Sequence, residues 1–107
     1  MDERTLKDSH KEQLIEKIRH YLDGQPIERA WLFGPFARGE ANPDSDIDLL
    51  VQFDHREKID LFDYIGIQQD LEDLTGRKVD LVEAGQARDH VKPNIDRDKE
   101  LIYEKTI

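Results

Sequence analysis

Asp46 and Asp48 stand two residues apart at the head of a short apolar run, Asp46-Ile47-Asp48-Leu49-Leu50-Val51-Gln52-Phe53. In an extended chain that spacing sends both carboxylates off one face, while Ile47, Leu49, Leu50 and Val51 between and after them anchor the backbone. Carboxylates held side by side raise one another's pKa unless a cation lies between them. Hard divalent ions such as Mg²⁺ take oxygen ligands and leave positions open for water and phosphate. A third acid, Asp80, is embedded in Val79-Asp80-Leu81-Val82. If the two strands are neighbours, Asp80 stands beside the pair, and three carboxylates on adjacent strands make a two-metal phosphoryl-transfer site. For Asp-x-Asp alone the plainer reading, exposed acids at strand ends with no ligand, prevails, so the segment ahead of it decides. There Gly34 closes the apolar stretch Arg29-Ala30-Trp31-Leu32-Phe33 and opens a turn-rich loop. Its backbone can approach a phosphate where a side chain would obstruct.

The elements that must carry these residues follow from periodicity. Residues 9–22 read as a helix: Ser9 and Glu12 have capping-box spacing, Leu14, Ile15, Ile18, Tyr21 and Leu22 recur at helical intervals, and Gly24 and Pro26 stop the run. Residues 29–33 read as a buried strand, and 34–45 as loop with one helical turn. Residues 46–53 and 78–82 read as two further strands. A second amphipathic helix runs from Ile59 to Leu74 and is stopped by Gly76. After Gly85, residues 94–104 read as a last helix with Ile95, Leu101, Ile102 and Tyr103 apolar. The order α-β-loop-β-α-β-α is that of an α/β or α+β domain: a small mixed β-sheet with packed helices, one domain over residues 1–107.

Composition narrows the class. No cysteine is present, which excludes a disulfide framework, thiolate metal ligands and cysteine catalysis. No apolar run approaches a membrane span and no signal-peptide core follows the charged opening, so the expected compartment is the cytoplasm. The net charge is −9, and residues 28–80 hold thirteen acids against six bases. Such a centre repels nucleic-acid phosphates and suits cations or a basic protein partner. Arg38 can reach a phosphate or pair with Glu40 or Asp44. Ser45 can face a nucleotide or cap a turn. His10, His20, His55 and His90 show no metal-ligand spacing.

Ten residues separate Gly34-Pro35 from Asp46-x-Asp48, an arrangement that resembles the Gly-Ser-x₁₀-Asp-x-Asp signature of the DNA polymerase beta-like nucleotidyltransferases. Phe36-Ala37-Arg38-Gly39-Glu40, Ser45-Asp46-Ile47-Asp48-Leu49-Leu50-Val51, Gly76-Arg77-Lys78-Val79-Asp80-Leu81-Val82 and Leu101-Ile102-Tyr103-Glu104 are similar in order and spacing to the minimal nucleotidyltransferase (MNT) family. The resemblance implies the nucleotidyltransferase fold, with the active site at the loop between the first two strands. It also implies that Asp46 and Asp48 hold two Mg²⁺ ions and that Asp80 completes the one activating the attacking hydroxyl. Gly34, with Pro35, Arg38 and Ser45 around it, would lie against the triphosphate of ATP. Many members of this family are antitoxins that transfer AMP from ATP to a tyrosine of a partner HEPN-domain toxin. The chain departs from the pattern at Pro35, where the family has serine. Proline offers neither hydroxyl nor backbone N–H, and each lost charge-assisted hydrogen bond costs about 1.5–3 kcal/mol. Two functions from different classes follow: a protein adenylyltransferase, or an MNT-fold antitoxin that inhibits by binding alone.

Overall fold

The computed structural model describes residues 3–42, 45–86, 89 and 92–105. Helix α1 (Glu3–Leu22) leads into strand β1 (Ile27–Phe33), the short helix α2 (Gly34–Arg38) and strand β2 (Ile47–Phe53). Helix α3 (Leu61–Thr75), strand β3 (Val79–Glu83), helix α4 (Lys92–Asp98) and strand β4 (Glu100–Glu104) complete the order. The four strands form one sheet in the order β3-β2-β1-β4. β1 is antiparallel to both β2 and β4, whereas β2 and β3 are parallel and joined through α3. The expected mixed sheet with packed helices is present.

The two long helices are built as their periodicity requires. Leu14, Ile18 and Leu22 repeat at four-residue intervals along α1 and are buried. The helix then ends in turns that return the Asp23, Gly24 and Gln25 amides to carbonyls of Arg19, Tyr21 and Leu22. It begins six residues earlier than the spacing of Ser9 and Glu12 suggests, and Ser9 lies inside it rather than at its cap. In α3, Asp60 and Asp63 form a reciprocal capping box, each side chain accepting the other's backbone N–H. Gly76 closes that helix in the left-handed region, its N–H on the Glu72 carbonyl.

The C-terminal segment corrects the sequence expectation. Residues 94–104 are not one helix. α4 stops at Asp98, the Lys99 amide bonding back to the Ile95 carbonyl. Leu101, Ile102 and Tyr103 then lie on β4, paired with β1. The side chain of Asp98 is only 3% exposed and accepts from Arg97 and Arg38. A buried, doubly paired carboxylate at that point fixes the chain where it turns from helix to edge strand.

Strand alternation divides the sheet into two faces. Ala30 and Leu32 of β1, Ile47, Leu49 and Val51 of β2, and Val79 and Leu81 of β3 join α1 and α3 in the main core. The intervening residues Phe33 and Leu50 form a smaller cluster with Ile95 of α4, and Trp31 and Val82 pack against it. Asp48 and Asp80 share the parity of Leu50 and Val82, and therefore this second face.

Candidate active site

The register brings the expected acids together. Asp48 is opposite Phe33 across the β1–β2 pair and opposite Asp80 across the β2–β3 pair. Asp46 lies one residue before β2 and is exposed, Asp48 is half-buried and Asp80 is exposed. Burial pushes the Asp48 carboxyl up to about 6, with the neighbouring charges of Asp80 and Asp46 adding to the rise and Arg38 opposing it. Asp48 is thus the electrostatic centre of the trio. Among the described residues no three acidic or histidine side chains close around one point as a ready-made ion cage. The donor set nonetheless fits a hard divalent ion: all oxygen, on adjacent strands, with carboxylate repulsion that a cation relieves.

Gly34 is where the fold needs a glycine. Its φ is +72°, in the left-handed region, and a Cβ built there would come within 3.1 Å of Asp48 Cγ and collide with the carboxylate. The turn from β1 into α2 therefore lies directly against the central acid. Pro35 occupies the first turn of α2, where a missing N–H breaks no helical bond. Its carbonyl accepts from the Glu40 amide at 2.9 Å as Gly39, at φ +74°, ends the helix. Phe36 anchors α2 in the main core.

Arg38 and Ser45 resolve differently from one another. Arg38 donates through Nε to Glu40 at 2.9 Å and through Nη1 to Asp98 at 2.5 Å, so it bridges α2 and α4. It is also close enough to lower the pKa of Asp48. Its other expected partner, Asp44, lies outside the described residues. The Ser45 hydroxyl accepts from the Asn42 amide at 2.9 Å, and the Ser45 amide returns to the Asn42 carbonyl at 3.0 Å. Ser45 therefore caps a turn.

Two supporting residues escaped the sequence reading. Asp98 is held well below the usual carboxylate range, first by its hydrogen bond from Arg97 and also by Arg38. Arg77 stacks its guanidinium 4.9 Å from the Phe36 ring centre and donates to the carbonyls of Asn42 (3.0 Å) and Ser45 (3.2 Å). It ties the turn before Asp46 to α2. Only the position of Arg77 in the Gly76–Val82 block hinted at a role.

The polymerase beta nucleotidyltransferase family model matches residues 16–107, and the chain belongs to that family. It is an enzyme of the nucleotidyltransferase class. Within the family it is 33% identical over 99 residues to protein adenylyltransferase MntA of Thermococcus cleftensis, covering 92% of this chain and 89% of that one. Two solved structures share the fold. A toxin–antitoxin crystal structure with AMP-PNP matches with TM-score 0.66 and 20% identity over 90% of this chain and 74% of its own. A structure of tri-AMPylated Shewanella oneidensis HEPN toxin in complex with MNT antitoxin matches with TM-score 0.59 and 17% identity over 92% and 73%.

Proposed function

We propose that this chain transfers AMP from ATP to a hydroxyl of a HEPN-domain protein and so acts as the antitoxin of a toxin–antitoxin pair, working as one domain in the cytoplasm. The observation that carries the reading is the half-buried Asp48, flanked by Asp46 and Asp80 and pressed against Gly34. The name of the Thermococcus relative and the AMPylated toxin in the Shewanella complex support the acceptor class.

In this reading the acceptor oxygen attacks the α-phosphorus of ATP, a new P–O ester forms, the bond to the β-phosphate oxygen breaks and pyrophosphate leaves. The hydroxyl proton passes to a neighbouring carboxylate or to water. Asp46 and Asp48 would hold Mg²⁺, with Asp80 completing the set of carboxylates. When bound, a pair of Mg²⁺ ions supplies charge neutralisation on the triphosphate and a lowered pKa at the attacking hydroxyl. Gly34 lets the triphosphate approach the backbone, and Arg38 adds a positive charge beside it. Pro35 gives the triphosphate no donor, and Ser45 holds the adjoining turn.

The decisive experiment incubates the chain with labelled ATP, Mg²⁺ and the HEPN protein encoded beside its gene. Label on the HEPN protein, lost in the Asp46→Asn/Asp48→Asn double variant, is the expected result. No label with a tight complex still formed would leave the second reading, inhibition by binding, which the proline at position 35 favours.

A further inference from the structure

The strongest unexplained feature lies far from the carboxylates, at the beginning of α3. Phe62 is 84% exposed, Leu61 68% and Ile65 41%, and all three fall within about 100° of helical arc on the outward side. Gly66 follows on the same side. A helix-interior glycine is destabilising relative to alanine, and nothing local requires this one. Its φ is not positive, and a Cβ added there would meet no atom within 4 Å. Between this face and the α1–β1 turn runs a groove of ≈ 380 Å³ lined by Tyr21, Pro26, Phe62, Asp63, Gly66 and Asp70. Its rim is acidic. Glu57, Asp63 and Asp70 face a single base, Lys58, and α3 itself contains four acids and no lysine or arginine.

We infer that this face is a docking surface for a protein partner that offers an apolar side chain to Phe62 and Gly66 and Lys or Arg side chains to Asp63 and Asp70. A bare Gly66 lets the partner approach close to the helix backbone, which accounts for a residue the isolated fold does not need. Charge disfavours a second copy of this chain, which would bring one acidic helix against another on a protein of net charge −9. The surface also differs in place from the transfer site. α3 packs on the sheet face opposite Asp48 and Asp80, and Phe62 follows the C-terminal end of β2 whereas Asp46 precedes its start. A partner held on α3 leaves the catalytic face open. Holding and modifying are therefore separable on this chain.

The identity of the partner rests on the proposed function, so the test uses the same HEPN protein. Calorimetry measures its affinity for the wild type, Phe62→Ala and Gly66→Gln, alongside the Mg·ATP affinity and melting temperature of each. Phe62→Ala and Gly66→Gln should each weaken partner binding at least tenfold and leave nucleotide affinity unchanged. Gly66→Gln should meanwhile raise the melting temperature by about 4 °C, since a better helix former meets no obstacle. Wild-type binding matched by both variants would overturn the docking surface and leave adenylyl transfer standing. No binding by the wild type would overturn both. A wild-type dimer that the variants convert to monomer would assign the face to a second copy and overturn the inference.

Discussion

The two faces of the sheet are made from the same strands and do opposite work. On one, α1 and α3 lay Leu14, Ile18, Leu22, Ile67 and Leu71 over Ala30, Leu32, Leu49, Val51 and Leu81, all of them buried. On the other, Phe33, Leu50 and Ile95 form a small cluster, and the next positions along β2 and β3 are the carboxylates Asp48 and Asp80. Ile47, Leu49, Val51, Val79 and Leu81 stabilise the sheet from one face, and Asp48 and Asp80 place charge on the other. Because side chains alternate with period two, a slip of one residue would exchange the faces, so the apolar core also sets the register of the acids.

The sharpest break in that comparison is to remove charge from the open face. Asp46→Asn with Asp48→Asn should reduce adenylyl transfer by about 10³-fold or more and abolish Mg²⁺-dependent ATP affinity, with an unchanged circular dichroism spectrum. Unaltered Mg·ATP affinity by calorimetry would remove the site assignment. Leu49→Ala, one residue away on the closed face, should do the reverse. It should cost about 2–5 kcal/mol of stability in denaturant titration, with Mg·ATP affinity kept in the folded fraction.

That contrast also explains what was legible in the sequence. The carboxylates announce themselves because Asp46-Ile47-Asp48 and Val79-Asp80-Leu81 break apolar runs, and the neighbouring strands bring Asp48 opposite Asp80. β4 was hidden because Leu101-Ile102-Tyr103 is a three-residue apolar run, too short to show a period. What makes it a strand is pairing with β1, some seventy residues earlier in sequence. The Arg38–Asp98 bridge was hidden for the same reason: local spacing offered Glu40, and the buried partner comes from sixty residues away. At α1, Ser9 and Glu12 match a capping pattern inside a helix that extends to Glu3, so a local signal was present without the structure it signals.

A smaller change sharpens the open face instead of breaking it. Pro35→Ser places a hydroxyl and a backbone N–H in the first turn of α2, beside Gly34. At about 1.5–3 kcal/mol for a charge-assisted hydrogen bond, ATP affinity or AMP transfer should rise at least tenfold. A large gain would identify the natural chain as a transferase weakened at its phosphate loop and retained for binding. High native transfer with no gain would assign the triphosphate to other groups, Arg38 first among them.

The smallest effect separates the faces by pH. The Asp48 carboxyl is raised from 3.8 to about 6 by burial and by its acidic neighbours. Between those values the folded protein holds a proton that the unfolded chain has released. Stability therefore falls as pH rises from about 4 to 6 and stays lowered above that. Asp54 and Asp98 behave oppositely: both are held well below the usual range, first by hydrogen bonds from Arg56 and Arg97, so their contribution is already present above pH 4 and is lost only in stronger acid. Within the window from 4.5 to 7, Asp48 therefore contributes a falling slope. Because its side chain is half-exposed, solvent screening keeps the change to about 2 °C in melting temperature. Asp48→Asn should flatten that slope and melt slightly higher than wild type at pH 7 in chelator. Millimolar Mg²⁺ should stabilise the wild type above pH 6, where the carboxylate is ionised, and leave Asp48→Asn nearly unmoved. Parallel melting curves for the two proteins across this window, with and without Mg²⁺, would mean that Asp48 is solvated like an ordinary surface acid and that the open face carries no stored repulsion for a metal to relieve.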